Sequence, residues 1–137
     1  MLQINKQVDY ALQLMLALSD LEKGEYLSLR TFAKTHHISF LFLQKIATKL
    51  RKSTLISAKK GVNGGYYLVD LPKAISFKHI LEAVEGSYAP VSCLPKESAC
   101  ALSTVCKTQS VFSIIQKDIV FSMEKYTLAY MRDLRTK

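Results

Sequence analysis

"SLRTFAKTHHISFLFLQKIATKLRKSTLISAKKGVNGGYYLV", residues 28–69, decides the fold. Ser28 stands where a helix N-cap belongs, its hydroxyl able to accept from an unpaired N–H of the first turn. The "LRTFAKTHH" that follows places Leu29, Phe32 and Ala33 on one inner face. Ile38 and Ser39 make a short turn, and Ser39 caps a second helix, "FLFLQKIATKLRKS". Leu43, Ile46 and Leu50 face inward there, leaving Phe40, Gln44, Lys45, Thr48 and Lys49 outside. Two short helices joined by a tight turn, the second one basic, form a helix-turn-helix. "LISAKKGVNGGYYLV" then reads as strand, glycine-containing loop, strand, with Lys59 and Lys60 at the base of the hairpin. Glycine admits positive φ and lets the backbone approach a phosphate chain closely. The hairpin has the character of the wing of a winged helix.

Outward from that stretch the pattern stays helical. Val8, Leu12, Met15 and Leu18, widened by Ala11 and Leu14, predict a helix over residues 6–19. "LPKAISFKHILEAVEG" predicts another through Ile80, Leu81 and Val84, ended by Gly86. "SYAPVSCLPKESAC" is a loop by composition, with Pro90 and Pro95. Residues 107–137 contain no glycine or proline. Phe112, Ile115, Ile119, Met123, Tyr126 and Tyr130 recur there as on one face of a long helix, and Val111, Ile114, Phe121 and Leu128 form a second apolar flank. One small domain has too few elements to cover both faces, so a two-fold homodimer is expected. The expected fold is mainly α with a small β-hairpin wing. It divides into a winged helix-turn-helix DNA-binding domain (1–86), a cysteine loop (87–106) and a long dimerisation helix (107–137).

The charge of this 137-residue chain is unevenly placed. No acidic residue lies between Glu25 and Asp70, while Arg30, Lys34, Lys45, Lys49, Arg51, Lys52, Lys59 and Lys60 do. Those eight equal the whole net charge of +8. A single-sign field over a third of a domain suits a polyanion, duplex DNA first. No apolar run reaches the ~18 residues of a membrane span. Asp9 and Gln13 interrupt the apolar start, and no small-residue cleavage site follows it, so a cytoplasmic protein is expected. No Ser/His/Asp arrangement, paired carboxylates or nucleotide-binding loop is visible, so an enzyme is not expected.

"CLPKESACALSTVC", residues 93–106, holds every cysteine: Cys93, Cys100 and Cys106. In a reducing cytosol such a group reads as metal ligands or sensors before it reads as bridges. The C-x-x-C pairs that structural zinc prefers are absent. Soft thiolates suit the iron of an iron–sulfur cluster, and three of them leave one iron for a weaker ligand. A metal-free thiol switch, with Cys100 and Cys106 bridging, is the alternative. His36, His37 and His79 are read as surface or DNA-side residues.

The order of these pieces resembles the winged-helix regulators typified by IscR and NsrR, the Rrf-two family. The resemblance rests on the helix-turn-helix, the "GGY" of the wing, the helix ending in "AVEG" and the cysteines just after it. It implies a homodimeric transcriptional regulator whose iron–sulfur cluster controls how it meets its operator. The first cysteine gap is six residues where several relatives look more like five. Gln109 stands where the IscR-like pattern has a histidine ligand. "VDYAL" resembles the NsrR-type opening instead, which implies Asp9 as a ligand to the cluster of the other subunit. Gln44 stands where the family often has glutamate.

The expected metal ligands are therefore Cys93, Cys100, Cys106 and Asp9, holding a 4Fe–4S cluster in preference to 2Fe–2S. The expected DNA contacts are Ser28 and Thr31 on phosphate, Ser39, Phe40, Gln44, Lys45 and Lys49 on the major-groove helix, and Lys59, Lys60, Gly61, Asn63 and Gly64 on the wing. Nitric oxide, redox state or iron–sulfur supply is the expected signal. A cluster-free winged-helix repressor with a thiol switch, and an RNA-binding module, are the competing readings.

Overall fold

Three side-chain caps start the helices of the amino-terminal half in a computed structural model that describes residues 3–91, 101–102 and 104–135. Asn5 Oδ1 accepts from Val8 N at 3.1 Å and opens α1 (Lys6–Ser19). Ser28 Oγ accepts from Thr31 N and opens α2 (Leu29–Thr35); Ser39 Oγ accepts from Phe42 N and opens α3 (Phe40–Lys52). Each cap satisfies a first-turn N–H that the helix itself leaves unpaired, and is worth about 1 kcal/mol. At the turn between α2 and α3, Ile38 N returns to Ala33 O at 2.9 Å, and His37 takes a left-handed φ of 55°.

The wing is a two-stranded antiparallel hairpin, β1 (Ile56–Lys59) and β2 (Gly65–Leu68), in register Ile56–Leu68, Ser57–Tyr67, Ala58–Tyr66 and Lys59–Gly65. Leu27 and Tyr66 exchange backbone bonds of 3.0 and 2.9 Å, which tie the approach to α2 onto β2. Close approach demands glycine at two positions here. A Cβ on Gly64 would sit 2.0 Å from the carbonyl oxygen of Lys59, and one on Gly65 (φ 154°) 2.6 Å from that of Leu27.

A 3₁₀ turn, Pro72–Ala74, leads to α4 (Phe77–Glu85). The core lies among α1, α3, α4 and β1, where Val8, Leu14, Met15, Leu43, Ile46, Leu50, Ile56 and Ile80 are sealed from solvent. Burying each such side chain contributes about 1.5–3 kcal/mol. All of these but Ile56 are inward positions that the periodicity predicts.

The continuous helix expected over residues 107–137 is two helices, α5 (Thr108–Glu124) and α6 (Leu128–Arg135). Neither glycine nor proline breaks it; tertiary bonding does. Phe77 N donates to Tyr126 O and Leu128 N to Ile75 O, each at 2.8 Å, while Thr127 Oγ1 accepts from Tyr130 N and caps α6. Leu128 drops fully into the amino-terminal core. Arg132 donates to Ser19 O and Arg135 to Asp20 Oδ2, so α6 lies along the end of α1. By contrast, no residue of α5 is buried within the single chain. Ile119 and Met123 line an apolar groove with Val8, Phe77 and Leu81, whereas Val111, Ile114 and Phe121 are each more than half exposed. Among the described residues no helix is long and apolar enough to cross a membrane.

Candidate nucleic-acid interface and cysteine segment

The starts of α2 and α3 and the base of the wing enclose an open groove of about 440 Å³. Ser28 and Arg30 reach it from α2, Phe40 and Gln44 from α3, and Lys59, Lys60, Gly61 and Gly64 from the wing. Ser28 and Ser39 have each committed an oxygen lone pair to a helix cap, which leaves the hydroxyl hydrogen to donate to a phosphate. Gln44 and Lys45 are exposed on α3, and Thr31 on α2. Asn63 is exposed at the wing tip beside Val62, which is wholly uncovered.

Two placements depart from the reading of the sequence. The sequence marks Arg30 only as part of the basic block, yet it is built into the groove with its guanidinium 4.4 Å from the Phe40 ring centroid. That stacking holds a cation at the junction of both helices. Its position two residues after the Ser28 cap is the local signal that could have singled it out. Lys49, expected among the DNA contacts, does not line the groove. Its ammonium donates to Gln7 Oε1 at 2.8 Å and to Val84 O at 3.1 Å, partly buried between α1 and α4. Position 49 sits at the edge of the inward face of α3, and two acceptors there capture the side chain.

Of the expected metal ligands, Cys93 and Cys100 lie outside the described residues. Cys106 is a partly exposed free thiol two residues before α5. The Thr108 hydroxyl, 3.4 Å from Sγ, and then the N–H groups of Gln109 and Thr108 hold its pKa below the ordinary thiol value, because they stabilise the thiolate. Asp9 is exposed in the first turn of α1, with Oδ1 accepting from Gln13 Nε2 at 3.1 Å. His79 is engaged elsewhere: its Nδ1 accepts from Ser76 N at 3.0 Å and closes the start of α4. His36 stacks on Phe32. Among the described residues no three His, Cys, Asp or Glu side chains converge as a metal site.

A helix-turn-helix whose basic, glycine-rich hairpin shares a groove with the second helix defines a winged-helix DNA-binding protein. The chain belongs to the Rrf2 family: the family model described as an iron-dependent transcriptional regulator matches residues 4–133. It is 31% identical over 136 residues to the HTH-type transcriptional regulator NsrR of Halalkalibacterium halodurans, covering 98% of this chain and 91% of the relative. Its fold is similar to that of CymR, the global cysteine regulator of B. subtilis, with a TM-score of 0.78, 25% identity and 98% of each chain covered. The structure of T. potens IscR matches with a TM-score of 0.74 and 26% identity, over 95% of this chain and 85% of that one. The chain is thus a transcriptional regulator and not an enzyme.

Proposed function

We propose that this regulator works as a homodimer on a double-stranded DNA operator, and that an iron–sulfur cluster held by Cys93, Cys100, Cys106 and Asp9 controls its binding. The observation that carries the DNA half is the groove in which Ser28, Arg30, Phe40, Gln44, Lys59 and Lys60 meet. In this reading α3 enters the major groove, Gln44 pairs with adenine, Lys45 meets phosphate and the wing follows the minor groove. The uncovered flank of α5 (Val111, Ile114, Phe121) supports the homodimer, since a second copy supplies the apolar surface it lacks.

For the metal, the donor set is chemically apt. Three thiols lie within one short segment, and the described one, Cys106, is biased towards the thiolate that binds iron. The similarity to NsrR and IscR supports the same choice. A bound 4Fe–4S cluster would supply an iron open to nitric oxide, oxygen or loss. Asp9, reaching the partner's cluster, would hold α1 in place while ligated and release it otherwise, giving a two-state element that a signal biases.

The second reading is a cluster-free repressor in which the cysteines form a thiol switch. The lowered Cys106 pKa and the similarity to CymR favour it. Visible absorption, iron and sulfide content of protein purified without oxygen separate the two, alongside Cys100→Ala. Coloured protein with iron and sulfide, lost in the variant, supports the cluster. Colourless, iron-free protein after attempted reconstitution removes the cluster and leaves the thiol switch.

A further inference from the structure

Lys49 is the one basic side chain of α3 that bonds to both α1 and α4 among the described residues. Its partners sit at sensitive points. Gln7 is in the first turn of α1, two residues before Asp9. Val84 is in the last turn of α4, whose final carbonyls have no acceptor role within the helix. An ammonium there satisfies one such carbonyl and complements the negative end of the helix dipole. Because the ammonium only donates, Gln7 must present its oxygen, which fixes the orientation of that amide. The same two helix ends are joined a second time: Asn5, the cap of α1, donates to Glu85 Oε1 at 2.7 Å. The start of α1 and the end of α4 are therefore one locked junction, and Lys49 is the tie from that junction to α3.

We propose that Lys49 is a positioning residue, not a DNA contact, and that it passes a displacement of the first turn of α1 to the DNA-reading helix. Its regulatory meaning rests on the reading of Asp9 and the cysteines as cluster ligands; the tie itself does not. While Gln7 and Val84 keep their places, Lys49 has one seat and α3 is held. When Asp9 carries the first turn of α1 away, Lys49 loses an acceptor in a partly buried site, and α3 must shift or leave a charge under-paired.

The test uses the full chain and four variants: Lys49→Met, Lys49→Arg, Gln7→Leu and, as comparator, Lys45→Met. Binding to a 30-base-pair duplex of random sequence is followed across a salt series. Removing a phosphate contact lowers the slope of log affinity against log salt by about 0.9. Lys45→Met is expected to lose that amount and Lys49→Met to keep the wild-type slope; an equal loss in both overturns the proposal. Hydrogen exchange then reads the tie. Lys49→Met and Gln7→Leu should both speed exchange in residues 3–10 as well as in α3, with Lys49→Arg restoring it. Faster exchange in α3 alone overturns the tie.

Finally, the ratio of affinities of iron-loaded and iron-free protein reads the coupling. A wild-type ratio in the usual range of roughly 5–150-fold should fall to within about twofold of unity in Lys49→Met. A ratio unchanged in that variant overturns the coupling. A wild type that takes up no iron, or whose ratio is unity, sinks the cluster reading instead, and slope and exchange alone then decide the role of Lys49.

Discussion

The backbone N–H of Phe77 donates to the carbonyl of Tyr126 at 2.8 Å, across nearly fifty residues of chain. With the matching bond from Leu128 N to Ile75 O, it pins the bend between α5 and α6 to the start of α4. Leu128, fully buried, is the apolar counterpart of those bonds. Leu128→Ala is expected to destabilise the fold by about 2–5 kcal/mol, the usual cost of such a cavity. Denaturant unfolding of the two proteins measures it. A loss below about 0.5 kcal/mol, typical of surface positions, would show that α6 is not part of the core.

The wing depends on Gly64 for a steric reason, since an added Cβ would lie 2.0 Å from the Lys59 carbonyl oxygen. Gly64→Ala must therefore open the hairpin base that presents Lys59 and Lys60. DNA affinity is expected to fall by about tenfold or more, or roughly 1.4 kcal/mol. Far-ultraviolet circular dichroism should keep its helical signal, because the strands carry only four residues each. Anisotropy titration alongside the spectrum checks both halves.

Local chemistry made most of the DNA-binding half legible in the sequence. The caps at Ser28 and Ser39, the stop at Gly86 and the inward stripe of Leu43, Ile46 and Leu50 are short-range signals, and the structure realises each of them. What escaped depends on distant partners. The break after Lys125 has no glycine or proline to announce it; it follows from what Ile75 and Phe77 offer, about fifty residues earlier. Thr127 is itself a capping residue type, but nothing nearby shows that α5 must yield to it. The seat of Lys49 is hidden for the same reason, since Gln7 is 42 positions away and periodicity does not see it. Arg30 needed Phe40 opposite it before its place in the groove could be read. Cys93 and Cys100 lie outside the described residues.

Arg30 and Gln44 line the same groove but should fail differently. Arg30 is a cation seated on Phe40, fit to meet phosphate whatever the base sequence. Arg30→Ala is expected to weaken all duplexes alike and to reduce the salt slope by about 0.9. Gln44 is an uncharged amide with a base-reading geometry. Gln44→Ala should leave the slope unchanged and relax sequence preference at one position, at a cost of about 1–3 kcal/mol on the preferred base. Selection from a random duplex pool, repeated with each variant, distinguishes the two. A Gln44→Ala pool identical to wild type would remove Gln44 from base reading.

Cys106 should react as a thiolate at lower pH than an ordinary cysteine. Thr108 supplies the largest part of that bias, so Thr108→Val should move the titration upward. The sign follows directly. A lowered pKa leaves more thiolate at neutral pH, so in metal-free protein the variant should alkylate more slowly with iodoacetamide near neutrality. Well above the ordinary thiol pKa both forms are ionised and the rates should converge. Mass spectrometry of the peptide carrying Cys106 follows the rate against pH. Superimposable profiles would show that the hydroxyl 3.4 Å from Sγ does not bias the thiol.

The open flank of α5 carries the last prediction. Ile114 and Phe121 are 60% and 61% exposed, seven residues apart, and therefore on one side of the helix. A monomer would show water these apolar side chains and Val111, with the charged Lys117 and Asp118 between Ile114 and Phe121. In a two-fold dimer the same flank meets its own copy, and residues near the axis face themselves. A charge there meets a like charge as well as an apolar wall, so Ile114→Glu with Phe121→Glu should halve the solution mass from dimer to monomer. Neither side chain belongs to the buried amino-terminal core, so the helical content should survive. Sedimentation equilibrium reads the mass directly. A variant that remains a dimer would move the interface off this flank, and a monomeric wild type would remove the homodimer altogether.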